Sequence, residues 1–175
     1  LHYFQPIGPA DKELGENTRE FLYRLYWALS AKGNLLGWEK FPMEGTGYLD
    51  VLAEPEIPLP WPWLSQQEFD YYVNEYERTG PESACIGGLN SYRIADRNWE
   101  IGADYADANI DVPCLFISGE LDPVLQMIDP QALSIMHKRC SDLRSIVIVP
   151  MAGHFVQQEQ PEATNQALLS FLASL

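Results

Sequence analysis

The spacing of apolar positions divides the chain into a helical first part and an alternating last part. Residues 1–8 read as an extended lead-in. From Asp11 to Ser30 apolar residues recur at helical spacing, and Leu14, Phe21, Leu22, Leu25, Tyr26 and Leu29 fall on one face. That face predicts one helix packed on a core. Ala31 to Trp63 has no sustained period. It holds Gly33, Gly37, Gly45 and Gly47, then Pro55, Pro58, Pro60 and Pro62, which predicts a long loop or a string of turns. Loops of that length often line sites. Ser65-Gln66-Gln67-Glu68 has the form of a capping box, in which hydroxyl and carboxylate each satisfy an orphan amide. It opens a helix to about Arg78, with Phe69, Tyr72, Val73 and Tyr76 as its stripe and Thr79-Gly80-Pro81 as its stop. Gly87 to about Glu100 reads as a further helix, with Leu89, Tyr92 and Trp99 near one face.

From Ile110 the pattern changes. Pro113-Cys114-Leu115-Phe116-Ile117-Ser118 is an apolar run without polar alternation, as expected of a strand buried on both faces. Gly119 to Val124 reads as a turn, Pro130 to Cys140 as a helix, and Ser145 to Val149 as a second buried strand. Ala152-Gly153 breaks that strand and leaves His154 on a loop at its C-terminal end. Pro161 to Leu175 is the closing helix, with proline suited to its first turn and a buried face of Ala163, Ala167, Leu168, Phe171 and Leu172. Strand, turn, helix, twice over, is the pattern of a parallel α/β sheet. Two parallel strands need neighbours at their edges and cover on both faces. The fold class expected is therefore α/β with an incomplete core: a helical domain over residues 1–100, then the last two βα units of a parallel sheet over residues 101–175. Missing strands would come from upstream sequence or from another chain.

Composition narrows the function classes. The net charge of −14 would repel nucleic acid and anionic membranes. No run of about 18 apolar residues suits a membrane span. The N-terminus lacks both a signal-peptide pattern and a starting Met, so the chain is expected to begin inside a longer protein. The three cysteines, Cys85, Cys114 and Cys140, are widely spaced, with no Cys-x-x-Cys pair and no histidine cluster of metal-ligand spacing. Reduced thiols in a cytoplasmic protein, without metal or cofactor, are the expectation.

The two βα units carry the candidate chemistry. Asp122 follows the first strand and His154 the second, and both loops open at the same sheet edge, where α/β folds place their chemistry. Adjacent strands lie about 5 Å apart, so carboxylate and imidazole can meet. An Asp on one ring nitrogen fixes the tautomer and leaves the other nitrogen as a general base. The bland alternatives are an Asp-Pro turn residue and an unrelated surface histidine. A nucleophile would lie upstream on a strand-to-helix elbow. Gly45-Thr46-Gly47 and Gly87-Gly88 do not follow a strand, and Cys114 lies inside one, so none of them fits. Trp61 and Trp63, among prolines, could close over an apolar pocket or plug a core edge.

Gly119-Glu120-Leu121-Asp122-Pro123-Val124 and Ala152-Gly153-His154-Phe155-Val156-Gln157-Gln158-Glu159-Gln160-Pro161-Glu162 resemble the acid and histidine motifs of α/β-hydrolases, and more narrowly of epoxide hydrolases. The helical part agrees. Phe4-Gln5, Trp63-Leu64-Ser65 through Tyr72, Arg78-Thr79-Gly80, Gly88 to Arg93 and Arg97-Asn98-Trp99-Glu100 resemble that family's lid, in the right order. The resemblance implies hydrolysis of an epoxide to a vicinal diol through a covalent alkyl-enzyme ester, and the apolar lid aromatics suit a hydrophobic or aryl epoxide. It makes His154 the base, Asp122 its acid and Tyr92 a donor to the epoxide oxygen, with Phe155, Trp61 and Trp63 as substrate-contact candidates. The aspartate nucleophile and the family's second lid tyrosine would fall before Leu1. The chain alone is then expected to be inactive, needing the upstream half or a second chain. A phenol, protonated at neutral pH, can donate to a developing alkoxide. A haloalkane or haloacid dehalogenase-like hydrolase is the rival enzyme, and Tyr92 separates the two. A non-catalytic truncated fragment that pairs its sheet edge with a partner is the rival from another class.

Overall fold

The computed structural model describes residues 2–175, so Leu1 of the expected lead-in lies outside the described residues. The chain separates into two compact units. The first comprises residues 2–28 with Asn34–Asp104, and the second comprises Leu29–Gly33 with Tyr105–Leu175.

The first unit is helical. The lead-in is not extended: His2–Phe4 form a 3-10 turn. The reason is tertiary, because Arg93 donates from Nε to the Phe4 carbonyl (3.0 Å) and from Nη2 to the Pro6 carbonyl (3.1 Å). The helix expected over 11–30 is two helices, α1 (Pro9–Glu16) and α2 (Thr18–Leu29). Asn17 leaves helical geometry between them (φ −126°, ψ 35°). The glycine- and proline-rich stretch is mostly irregular but includes a 3-10 segment, Leu36–Lys40, and one turn of helix, α3 (Tyr48–Val51). The capping box forms as read. Ser65 Oγ accepts from the Glu68 amide, Glu68 accepts from the Ser65 amide (2.8 Å), and α4 (Gln66–Glu77) follows. It stops where Gly80 takes φ +83°. The helix expected over 87–100 is also two, α5 (Ile86–Arg93) and α6 (Ala95–Gly102), parted at Ile94 (φ −85°, ψ 2°). Leu14, Phe21, Leu22, Phe69, Val73 and Leu89 lie in one buried core, as their stripes require. Trp61 and Trp27 belong to it as well.

The second unit contains a two-stranded parallel sheet of β1 (Cys114–Gly119) and β2 (Leu143–Val149), with Leu115 opposite Ser145 and Gly119 opposite Val149. Between the strands run α7 (Pro123–Met127), which begins at the end of the Gly119–Val124 stretch expected to be only a turn, and α8 (Ala132–Arg139). After β2 come α9 (Val156–Glu159) and α10 (Pro161–Leu172). The strands are not buried on both faces within this chain. Cys114 to Ile117 are half-buried, and Ile148 is 38 % exposed. The face expected to be buried on α10 is likewise open: Ala163, Leu168 and Leu172 are exposed, and Thr164 is the buried residue. The apolar period is real, but nothing in the described residues covers that face. A groove of about 620 Å³ runs between Leu115 and Val147 of the sheet and Ala163, Ala167 and Phe171 of the helix. Among the described residues no helix is long and apolar enough to cross a membrane.

Candidate active site

Backbone hydrogen bonding carries both strands into the site. Past their last paired residues, the Glu120 amide donates to the Val149 carbonyl (2.9 Å) and the Leu121 amide to the Ala152 carbonyl (2.8 Å). The two loops are thus zipped together for a further step. They also touch main chain to main chain at Gly119, where a Cβ would stand 2.2 Å from the Gly153 carbonyl oxygen. Only glycine fits there. Met151 turns the loop through the left-handed region, at φ 59°.

Asp122 is the N-cap of α7: its Oδ1 accepts from the Val124 amide at 2.8 Å, and Pro123 takes the first helical position. Its carboxylate is nearly buried. Each carboxylate oxygen lies 3.2 Å from His154 Nδ1. A carboxylate on Nδ1 places the ring proton there, so the Nε2 lone pair is the one able to accept a proton. The imidazole is 41 % exposed, and water can reach it. Phe155 meets the ring edge-on, with centroids 5.5 Å apart. The pairing expected from the two loops is therefore present in the structure.

His154 is also held through its backbone. Its amide donates to the Leu29 carbonyl (3.0 Å). The sequence pattern assigns Glu159 no role, yet its carboxylate accepts from the amides of Ala31 (2.8 Å), Gly153 (3.1 Å) and Phe155 (3.2 Å). The signal available in sequence is only a glutamate five residues after the histidine, and the Ala31 contact spans 128 positions.

Tyr92, in the first unit, sits in the last turn of α5 and is 42 % exposed. Its ring packs beside Phe4 (5.0 Å), and its carbonyl accepts from Gln5 Nε2 (2.7 Å). The next residue, Arg93, makes a two-pronged pair with Asp11, at 3.0 and 2.6 Å. That guanidinium holds the Asp11 carboxyl down at about 2. Tyr48 meets Phe4 edge-on with ring centroids 4.9 Å apart, and burial pushes its phenol up to about 12. The two tryptophans lie together in this unit. Trp61 is buried, stacked on Tyr23 at 5.5 Å, with its indole N–H on the Ile57 carbonyl (3.1 Å), which matches the core-edge alternative. Trp63 is half-buried beside it, 5.5 Å away. No described cluster of three His, Cys, Asp or Glu residues could hold a metal.

No protein-family model matches the chain. Individual relatives do. The chain is 39 % identical over 175 residues to epoxide hydrolase A of Mycobacterium tuberculosis, covering 99 % of this chain and 51 % of that protein. It superposes on the crystal structure of epoxide hydrolase A from Mycobacterium thermoresistibile with a TM-score of 0.82 and 36 % identity, covering 98 % of this chain and 51 % of that one. Potato epoxide hydrolase I gives a TM-score of 0.76 at 29 % identity, covering 99 % and 52 %. The chain thus spans about half the length of the relatives it matches. By sequence and by backbone alike, the relatives of this chain are epoxide hydrolases.

Proposed function

We propose that the protein to which this chain contributes is an epoxide hydrolase that converts an apolar epoxide to a vicinal diol. The observation that carries this reading is the Asp122–His154 pair, bonded through Nδ1 at 3.2 Å, in a chain whose relatives are epoxide hydrolases. In this reading the first unit is the cap and the second is the C-terminal part of the hydrolase core. An aspartate carboxylate supplied from outside these residues attacks an epoxide carbon. The C–O bond breaks as the Tyr92 hydroxyl donates its proton to the departing oxygen, leaving a hydroxyalkyl ester. His154 Nε2 then takes a proton from water, whose hydroxide adds to the ester carbonyl. Collapse releases the diol and restores the aspartate, and the proton on the imidazolium returns through solvent to the Tyr92 phenolate. Asp122 stabilises the imidazolium formed on the way. Phe155 and Trp63, each half-buried within its own unit, stay candidates for contact with the substrate, while Trp61 packs in the core of the first unit. No cofactor or metal enters, and the cytoplasm suits three reduced thiols.

The half-covered sheet and the open face of α10 support a second element of the reading. The 175 residues alone hydrolyse no epoxide and need the strands and the nucleophile of another part of the protein or of another chain. The test joins this chain behind the N-terminal half of the Mycobacterium tuberculosis relative and follows diol formation from an aryl epoxide. Turnover is expected from the joined protein and none from the 175 residues. His154→Gln should slow turnover by about 10³-fold while an ester, visible as added mass, accumulates. Tyr92→Phe should slow ester formation by about 10²-fold. Full turnover by either variant would sink the assignment of that residue.

A further inference from the structure

We propose that Glu159 is a positioning residue for His154, and that its carboxylate acts as a clamp between the histidine loop and the Leu29–Gly33 segment. The proposal rests on the reading of His154 as the base. Oε1 accepts from the amides of Gly153 and Phe155, the residues on either side of His154. Oε2 accepts from the Ala31 amide at 2.8 Å. The Leu29 carbonyl closes the ring of contacts by accepting from the His154 amide itself at 3.0 Å. One carboxylate therefore satisfies three main-chain donors around the base and spans the two pieces of backbone that hold it.

Four physical features favour clamping over incidental contact. A carboxylate is an acceptor on both oxygens, so it alone among similar side chains can face N–H groups with both ends. Hydrogen bonds to an ionised acceptor are roughly twice as strong as neutral ones. Glu159 also closes α9, a helix of four residues too short to persist unaided. Its carboxylate folds back to the helix's own N-cap, Phe155, and so fixes the turn from which His154 projects. Gly153 admits the second piece of backbone. A Cβ there would lie 2.4 Å from the Ala31 nitrogen and 2.7 Å from the Leu29 carbonyl oxygen. The segment and the loop are pressed together with no side chain between them, and Glu159 bolts that contact. Asp122 sets the ring proton of His154, and Glu159 sets where the ring stands.

The first test uses the 175-residue chain with 15N-labelled histidine. In the parent chain the His154 ring should show one tautomer, protonated at Nδ1. In Glu159→Gln the amide group turns a donor toward one of the N–H groups it replaced. The ring signals should move toward a tautomer mixture, and amide exchange at Ala31, Gly153 and Phe155 should rise at least about tenfold. The second test uses the joined protein. Glu159→Gln should slow ester hydrolysis by about 10- to 100-fold, the scale for a misplaced catalytic group, and change ester formation less than about threefold. Glu159→Asp, which keeps the charge, should recover part of the loss. Unchanged ring signals together with unchanged hydrolysis in a folded Glu159→Gln would overturn the proposal. If Glu159→Gln fails to fold, Glu159→Asp decides: its shorter reach should slow hydrolysis selectively, and parent-like hydrolysis would overturn the clamp. A failure of His154→Gln to accumulate ester would instead sink the base assignment, while the ring signals would still report whether Glu159 positions the imidazole.

Discussion

Among the described residues, thirteen buried hydrophobic ones in the first unit form one cluster that includes Leu14, Trp61 and Phe69, whereas the buried cluster of the second holds Val149, Ala152 and Val156. Yet it is the second unit that holds the Asp122–His154 pair. Its order comes from the main chain: strand ends zipped past their last pair, glycines that let backbones touch, and carboxylates that collect amides. Each hydrogen bond contributes modestly to net stability, about 1 kcal/mol, but is directional. Apolar burial supplies more free energy and less direction. The contrast teaches that side chains can be positioned by hydrogen-bond geometry where little buried core among the described residues supports them.

The largest expected effect separates activity from stability. His154→Gln should cost about 10³-fold in turnover of the joined protein, within the range for a general base. The ring is 41 % exposed, so the same change should move unfolding free energy by no more than about 0.5 kcal/mol. A large drop in thermal stability would mean that the histidine serves the fold rather than the reaction.

Next comes Phe69→Ala, which empties the centre of the first unit's cluster, where Phe69 is 2 % exposed. A loss of about 3–5 kcal/mol is expected. Amide exchange should show it across α1, α2 and α4 while β1 and β2 keep their protection. Equal loosening of both units would break the comparison.

The Asp11–Arg93 pair ranks third. Both side chains are nearly buried, and removing one partner strands the other's charge. Asp11→Ala should cost about 3 kcal/mol at neutral pH. The carboxyl is held at about 2, below the ordinary carboxylate value of about 3.9. A depressed pKa gives a contribution that is fully present above about pH 4 and is lost as pH falls through about 2. The difference between parent and variant, followed by denaturant titration, should shrink on that acid limb. A difference constant down to pH 2 would remove the charge from the explanation.

Ser65→Ala has the smallest effect. It deletes the cap of α4, worth about 1 kcal/mol. The loss should appear in the first unit alone, as a small shift in its denaturant midpoint.

Features set by nearest neighbours in the chain were legible without coordinates. Ser65 and Glu68 close their box within three residues. The apolar runs of β1 and β2, each followed by a glycine-bearing turn, leave Asp122 and His154 on loops at matching strand ends because parallel strands point the same way. What the sequence left open depends on partners far along the chain. Two long helical periods each break, at Asn17 and Ile94, although the apolar spacing runs on across both. The lead-in coils because Arg93, some ninety positions away, holds its carbonyls. The period of α10 marks an apolar face correctly, but a period cannot say what covers it. The sequence by itself determined which side chains could do chemistry and at which ends of which strands they stand, because capping, strand patterning and turns are local. Only the tertiary structure decided that Asp122 meets His154 through Nδ1, and that Glu159 gathers amides from residues 31, 153 and 155. Those contacts join segments remote in sequence, and backbone amides leave no signature in residue identity.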